Sequence, residues 1–138
     1  MPVSETDLRL IQESLPRVRE RLEPASMAFY DNLFAIAPDM RPLFRGDIND
    51  QGMRFMSTLA TIAEMLDEPE ALDRQLDGLA RAHATLGVRE RHFAPMGSAL
   101  MVTLGETLGP EFTDDLQAAW RSAYDHISRE MVARGATN

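Results

Sequence analysis

The sequence has no cysteine, no lysine and no long apolar run. Without cysteine there is no disulfide, no thiolate zinc site and no cysteine nucleophile. All 14 basic residues are arginine, which we interpret as a compositional bias. No apolar run approaches the roughly 18 residues that a transmembrane helix needs, and the first ten residues, MPVSETDLRL, lack the basic and apolar regions of a secretory signal. We therefore expect a soluble, cytoplasmic protein with no membrane span.

The length and hydrophobic content of the chain are sufficient for one hydrophobic core. The chain has 138 residues, of which 44% are hydrophobic, so it is long and apolar enough to fold as a single domain over residues 1–138. Its formal net charge of -8 disfavours nucleic-acid binding, because the phosphate backbone would be repelled.

Apolar residues recur at helical spacing along almost the whole chain, as at Leu8, Ile11, Leu15 and Val18. No segment alternates in the manner of a strand. Proline and glycine separate the periodic segments, and the sequence predicts an all-α fold of six or seven helices. The predicted helical segments are about 4–22 with a kink at Pro16, a helix that opens near Pro24, a single turn over Pro38–Phe44, about 49–66, a helix between Pro69 and Gly87, about 90–108 and about 111–134.

One histidine ends an otherwise apolar stripe. Leu72, Leu76, Leu79 and His83 lie at i, i+4, i+7 and i+11, so they share one face of a helix. A buried histidine that donates to a backbone carbonyl, or that lies favourably near a helix C-terminus, would explain this pattern. This stretch alone favours that structural explanation, and the alternative is a metal or haem-iron ligand that points into an apolar pocket.

Tyr30 and Gln51 are also polar residues on rows that otherwise look apolar. Each has a structural explanation alone, since a buried tyrosine usually donates to a carbonyl and Gln51 lies near a helix start. Together with His83 they suggest a polar constellation that faces one cavity from three helices. No Ser/His/Asp arrangement indicates a nucleophilic enzyme, and the remaining histidines have no zinc spacing: His92 is expected on a solvated face and His126 off the apolar row.

From about residue 5 to residue 134, the chain resembles the single-domain bacterial haemoglobins and the globin domain of flavohaemoglobins. The matching segments are AFYDNLFAIAPDMRPLF, DQGMRFMSTLATI, ARAHATLGV and AAWRSAYDHI. Their spacing is specific, because Gln51 follows Phe44 by seven residues and His83 follows Gln51 by 32. The resemblance implies the globin fold, a three-over-three helical sandwich, and haem b (iron protoporphyrin IX) as cofactor.

The resemblance assigns roles to the residues that would hold a haem. It implies that His83 is the iron ligand. A second acceptor would hold its other ring nitrogen, and our candidate is the backbone carbonyl near Leu79, one turn earlier. The resemblance also implies that Phe44 packs on the haem face and that Arg54 pairs with a propionate. A single histidine ligand leaves the sixth position of the iron open.

The resemblance assigns the other side to gas binding. Tyr30 and Gln51 match distal residues beside bound gas, and Phe55 matches an apolar position of the distal wall. A hydroxyl that donates to a partly negative ligand strengthens its binding, so high O2 affinity is expected.

Two positions depart from the flavohaemoglobin pattern. Members of that group pair the proximal histidine with a tyrosine at the start of the next helix and a glutamate late in the last one. The matching positions here are Phe93 and Gly135. We therefore do not expect a carboxylate that makes the imidazole more electron-rich. Separately, we expect any electron donor to be another protein.

The sequence leaves three functions open. The leading expectation is reversible binding of O2, and of CO and NO, with no catalytic residue. The alternative is nitric oxide dioxygenation, which converts O2 and NO to nitrate and needs a separate reductase. The third is a cofactor-free helical sensor or partner-binding module, which a haem absorption band would exclude.

Overall fold

The computed structural model describes residues 3–44, 48–86 and 90–134, and the side chains of the same residues except 83–86. The described residues form six α-helices and two short 3₁₀ turns, with no strand among them. The α-helices are α1 (Glu5–Glu20), α2 (Leu22–Ile36), α3 (Ile48–Glu64), α4 (Pro69–Leu86), α5 (Glu90–Leu108) and α6 (Asp114–Ala133), and the 3₁₀ turns are Pro38–Leu43 and Gly109–Glu111. The all-α prediction is confirmed.

Side-chain caps set two of the helix starts. Ser4 accepts a hydrogen bond from the backbone N–H of Asp7 at 3.1 Å, as expected of a residue that precedes a helix. Thr113 accepts from the N–H of Leu116 at 3.2 Å. Gly109 has a φ of 59° at the end of α5, a conformation that favours glycine. This turn and the Thr113 cap explain why α6 starts three residues later than predicted.

The helices pack so that α2 lies against both α3 and α5, whereas α6 lies against α1, α4 and α5. The single tryptophan, Trp120 of α6, is 2% exposed and its indole N–H donates to the Ser14 hydroxyl of α1 at 3.1 Å. Ser14 in turn donates to the Ile11 carbonyl at 2.7 Å. A buried polar pair is therefore satisfied in the middle of the α1–α6 contact.

The apolar residues of α2 are buried on two faces, with two exposed positions. Phe29, Tyr30 and Leu33 are buried, but Met27 is 51% and Ile36 46% exposed. Phe29 and Leu33 lie on one apolar face of α2 and Tyr30 on the other, so the helix is buried on more than one side, with one exposed residue on each face. None of the helices in the described ranges is both long and apolar enough to cross a lipid bilayer.

A cluster of charges joins α4 to the end of α6. The Arg134 side chain is 18% exposed and pairs with three carboxylates. Its Nε donates to Asp77 at 2.8 Å, its Nη1 donates to Glu130 at 2.6 Å, and its Nη2 donates to Asp73. Asp73 and Asp77 are one turn apart on α4, so without Arg134 these like charges would repel each other.

We expect Arg134→Gln to loosen α4 from α6. Because Asp73 and Asp77 are mostly exposed, each pair is worth little, and we expect a loss of about 1 kcal/mol in the free energy of unfolding at pH 7. The hydrogen bond from Arg134 lowers the pKa of Glu130 below its usual 4.5. A carboxyl with a lowered pKa in the folded state stabilises the fold above its unfolded pKa, and the stabilisation disappears as the pH falls through the folded value.

Urea unfolding at pH 7 and at pH 3 measures both effects, with Arg129→Gln, on the exposed face of the same helix, as the matched control. The difference between wild type and Arg134→Gln should shrink at pH 3, and Asp77→Asn should restore part of the stability of Arg134→Gln at pH 7. Equal losses for Arg129→Gln and Arg134→Gln would contradict a specific role for the cluster.

Candidate functional site

An aromatic cluster surrounds Tyr30 on α2. The Tyr30 ring lies 5.0 Å from the Phe44 ring in an edge contact and 5.6 Å from the Phe34 ring in a stacked one. The Phe29 ring contacts Tyr30 by its edge at 5.4 Å and stacks on Phe55 of α3 at 4.3 Å. Three of the residues predicted for the site, Tyr30, Phe44 and Phe55, thus belong to one continuous apolar wall.

The Tyr30 phenol is buried and remains a hydrogen-bond donor. The residue is 4% exposed, and burial raises its pKa to about 12, with the positive charge of Arg54 acting in the opposite direction. Among the described residues, none accepts a hydrogen bond from its hydroxyl. The hydroxyl oxygen is not one of the fully buried side-chain oxygens that lack a partner, so it is open to the space beside it and can donate to a ligand there.

The first turns of α3 carry the other predicted distal residues. Gln51 and Phe55 are half-buried, and they lie one helical turn apart. Arg54 is exposed, and its charge lies close enough to Tyr30 to influence the phenol. The buried positions near the start of α3 are Gly52 and Met56, and farther along the helix Leu59 and Ile62 are also buried.

The predicted iron ligand lies on α4. The backbone of His83 is helical, three residues before α4 ends at Leu86, but its side chain lies outside the described residues. Of the leucine stripe that leads to it, Leu72 and Leu76 are buried and Leu79 is partly buried against the core. The stripe is thus on the inner face of α4, as predicted.

The start of α5 differs from the expectation at His92. This residue is 7% exposed, so the predicted solvated face is wrong. The physical reason is its spacing, because His92, Met96 and Ala99 lie at i, i+4 and i+7 on the inner face of α5. The adjacent Phe93 is partly buried and its carbonyl accepts a hydrogen bond from the Tyr124 hydroxyl at 2.8 Å. The other departure noted in the sequence, Gly135, lies outside the described residues.

Two features of the site were not predicted from the sequence. Phe29 and Phe34 complete the aromatic cluster, although their helical spacing marked them only as core residues. Gly52 lies directly behind Tyr30, where an added Cβ would be 2.9 Å from Tyr30 Cε2. An isolated glycine within a helical pattern signals such a packing constraint, and it adjoins Gln51 in the chain.

The described residues around Tyr30 suit a haem. In the described part of the chain, no group of three or more histidine, cysteine, aspartate or glutamate side chains could hold a metal. A flat, apolar macrocycle suits a wall made of Phe44, Phe55 and their neighbours, and the phenol of Tyr30 supplies one polar donor beside it.

Sequence comparison supports this interpretation. The globin family matches residues 27–131. The chain is 30% identical over 128 residues to a flavohemoprotein of Bordetella pertussis, which corresponds to 91% of this chain. It spans only 32% of that protein, about a third of its length. It is also 25% identical over 130 residues to an uncharacterized globin-like protein of Aquifex aeolicus, and covers 92% of it.

Solved structures show the same architecture. An engineered carbene transferase from Rhodothermus marinus, a protein whose assignment as a nitric oxide dioxygenase is itself provisional, superposes with a TM-score of 0.88 at 28% identity. The superposition covers 97% of this chain and 94% of that one. A bacterial globin from Campylobacter jejuni superposes with a TM-score of 0.85 at 22% identity, over 95% of each chain. The fold and the family match together show that this chain belongs to the globin family, with haem as the cofactor that the family implies.

Proposed function

We propose that the protein reversibly binds O2, and also CO and NO, on haem b, with a distal hydrogen bond that gives high O2 affinity. The observation that supports this most directly is the buried Tyr30 phenol, whose hydroxyl donates to no described residue. A phenol with a pKa of about 12 keeps its proton at every physiological pH. It is therefore always able to donate.

In this proposal His83 is the protein ligand of the haem iron, and the haem when bound supplies reversible coordination of a diatomic gas. Leu79 lies one turn before His83, so its carbonyl is the proposed acceptor for the second ring nitrogen. Phe44 packs on the haem face, and Arg54, which is exposed on α3, pairs with a propionate. We place the protein in the cytoplasm, where a separate reductase would keep the iron in its reduced state.

Tyr30 and Gln51 then have distinct tasks on the distal side. The phenol donates to the partly negative gas, and Gln51 donates a second bond or holds the phenol in place. Phe55 stacks on Phe29 and helps to exclude water. A hydrogen bond to a charged acceptor is worth about 1.5–3 kcal/mol, which corresponds to a roughly 10- to 150-fold slower release.

We expect Tyr30→Phe to release O2 roughly 10 to 150 times faster than wild type. CO carries less negative charge when bound, so its release should change far less. Stopped-flow measurement of both dissociation rates tests this. The substitution keeps the ring contacts with Phe34 and Phe44, so thermal unfolding should stay close to that of wild type, which controls for a general loosening. An unchanged O2 rate would refute the distal hydrogen bond.

We expect His83→Ala to abolish the spectrum of histidine-ligated ferrous haem, because no other side chain is proposed as its ligand. Resonance Raman detection of the iron–histidine stretch measures this directly, and added imidazole should restore a ligated spectrum. His126→Ala is the matched control, since His126 is half-buried on α6 and should leave the spectrum unchanged. A His83→Ala protein that kept the wild-type stretch would show that another residue binds the iron.

Nitric oxide dioxygenation is the second candidate function. It is favoured by the similarity to the flavohemoprotein of Bordetella pertussis, of which this chain matches only a part. The reaction combines O2, NO and one electron to give nitrate, so it requires an electron donor at every turnover. Tyr30 would serve this reaction in the same way, by holding bound O2.

We expect one equivalent of nitrate per oxygenated protein in the absence of a reductase, because any oxygenated globin reacts once with NO. The two functions give different nitrate yields once a flavin reductase and NADH are supplied. Sustained nitrate formation, measured over many equivalents of protein, would favour the dioxygenase. Reductase with free haem is the control, and a single turnover despite rapid reduction of the iron would favour the O2-binding function.

A further inference from the structure

At Gly52 the backbone of α3 lies close to α2. An added Cβ at Gly52 would lie 2.9 Å from Tyr30 Cε2, 3.1 Å from the Ser26 carbonyl oxygen and 3.2 Å from Ser26 Cβ. Ser26 and Tyr30 are four residues apart, so they share one face of α2. The backbone of α3 therefore presses against the same face of α2 that carries the phenol.

The Tyr30 ring has little room to move away from this contact. Phe34 stacks against it at 5.6 Å, and Phe44 and Phe29 contact it by their edges at 5.0 Å and 5.4 Å. Packed interiors respond to even one added methyl group by displacing side chains or backbone. A methyl group at residue 52 would thus shift either the ring or the first turn of α3.

The requirement for glycine at position 52 comes from space and not from backbone conformation. In the described part of the chain, Gly109 is the glycine with a positive φ, so Gly52 has an ordinary helical backbone that alanine also adopts. Alanine favours the helix more than glycine does. Gly78 of α4 offers the comparison, because an added Cβ there would meet no atom within 4 Å.

We propose that Gly52 is a positioning residue, which sets where the Tyr30 hydroxyl lies and thereby how well it donates to bound O2. Gln51 immediately precedes Gly52 in the first turn of α3. The same contact therefore also fixes the spacing between the two distal polar residues. This inference rests on the proposed function, since it assumes the distal hydrogen bond from Tyr30.

The test is a double-substitution cycle with Gly52→Ala and Tyr30→Phe. Gly52→Ala alone should speed O2 release by about 3- to 10-fold, a part of the full effect of the phenol, and should change CO release by less than about 2-fold. In the Tyr30→Phe protein the ring and its steric contact remain but the hydroxyl is gone. There, Gly52→Ala should change O2 release by less than about 2-fold, because coupled sites are not additive.

Two spectroscopic readouts report on position independently of gas release. The sequence contains only two tyrosines, so NMR with ¹³C-labelled tyrosine resolves the Tyr30 ring, and Gly52→Ala should move its signal. The infrared stretch of bound CO, which responds to a nearby donor, should shift toward its value in Tyr30→Phe.

Two glycines serve as matched controls. Gly97→Ala places a Cβ 2.7 Å from the Tyr124 ring, an equally severe clash at the α5–α6 contact, and any effect should fall on O2 and CO alike. Gly78→Ala adds a methyl group in open space and should change neither rate. If Gly52→Ala does not fold, the double variant Ser26→Gly/Gly52→Ala replaces it. This variant removes the contact with Ser26 Cβ and keeps the contact with the Tyr30 ring, so its O2 and CO release rates and its spectra test the positioning role in the same way.

The outcomes separate this inference from the proposed function. If Tyr30→Phe itself does not speed O2 release, the distal hydrogen bond is wrong. If Tyr30→Phe speeds release but Gly52→Ala does not, or if Gly52→Ala acts equally with and without the phenol, only the positioning role of Gly52 is overturned. Unequal effects on O2 and CO that disappear in Tyr30→Phe support both.

Discussion

The close crossing of α3 over α2 is the constraint on which the candidate site depends. At this crossing Gly52 has no side chain, so the α3 backbone lies directly against Tyr30 and Ser26. The phenol is consequently held between a rigid helix backbone and three phenylalanine rings. Its hydroxyl is kept in place by packing, and burial keeps it protonated. Preorganisation of this kind spares the protein the entropic cost of ordering a donor when a ligand binds.

The helix that carries the proposed iron ligand is held differently. Leu72 and Leu76 bury one face of α4, and Arg134 connects its outer side to α6 through Asp73 and Asp77. One side of the site is therefore fixed by apolar rings and the other by leucines together with exposed charges. This difference agrees with the proposed roles of the two sides, since the distal side must hold the Tyr30 hydroxyl at hydrogen-bonding distance from the bound gas.

Most of the fold could be predicted from periodicity, whereas the polar residues on apolar rows marked candidates whose roles came from the family resemblance. The bounds of α5 were predicted to the residue, because its apolar spacing is regular and Gly109 ends it. Exposure at Met27 and burial at His92 were not predicted, because spacing shows that residues share a face but not which face meets a partner. The Arg134 cluster joins residues 57 and 61 positions apart, a pairing that no local pattern contains. The roles of His83 and Gln51 stay predictions that rest on the family resemblance.

The two kinds of attachment respond to different solution variables. Salt screens charges at the surface over about 8–10 Å, so raising the ionic strength weakens the link between Arg134 and the carboxylates of α4 while leaving the rings around Tyr30 untouched. Cooling weakens apolar contacts. The α4 side, held by leucines and charges, thus responds to both ionic strength and temperature, whereas the aromatic wall around Tyr30 responds mainly to temperature.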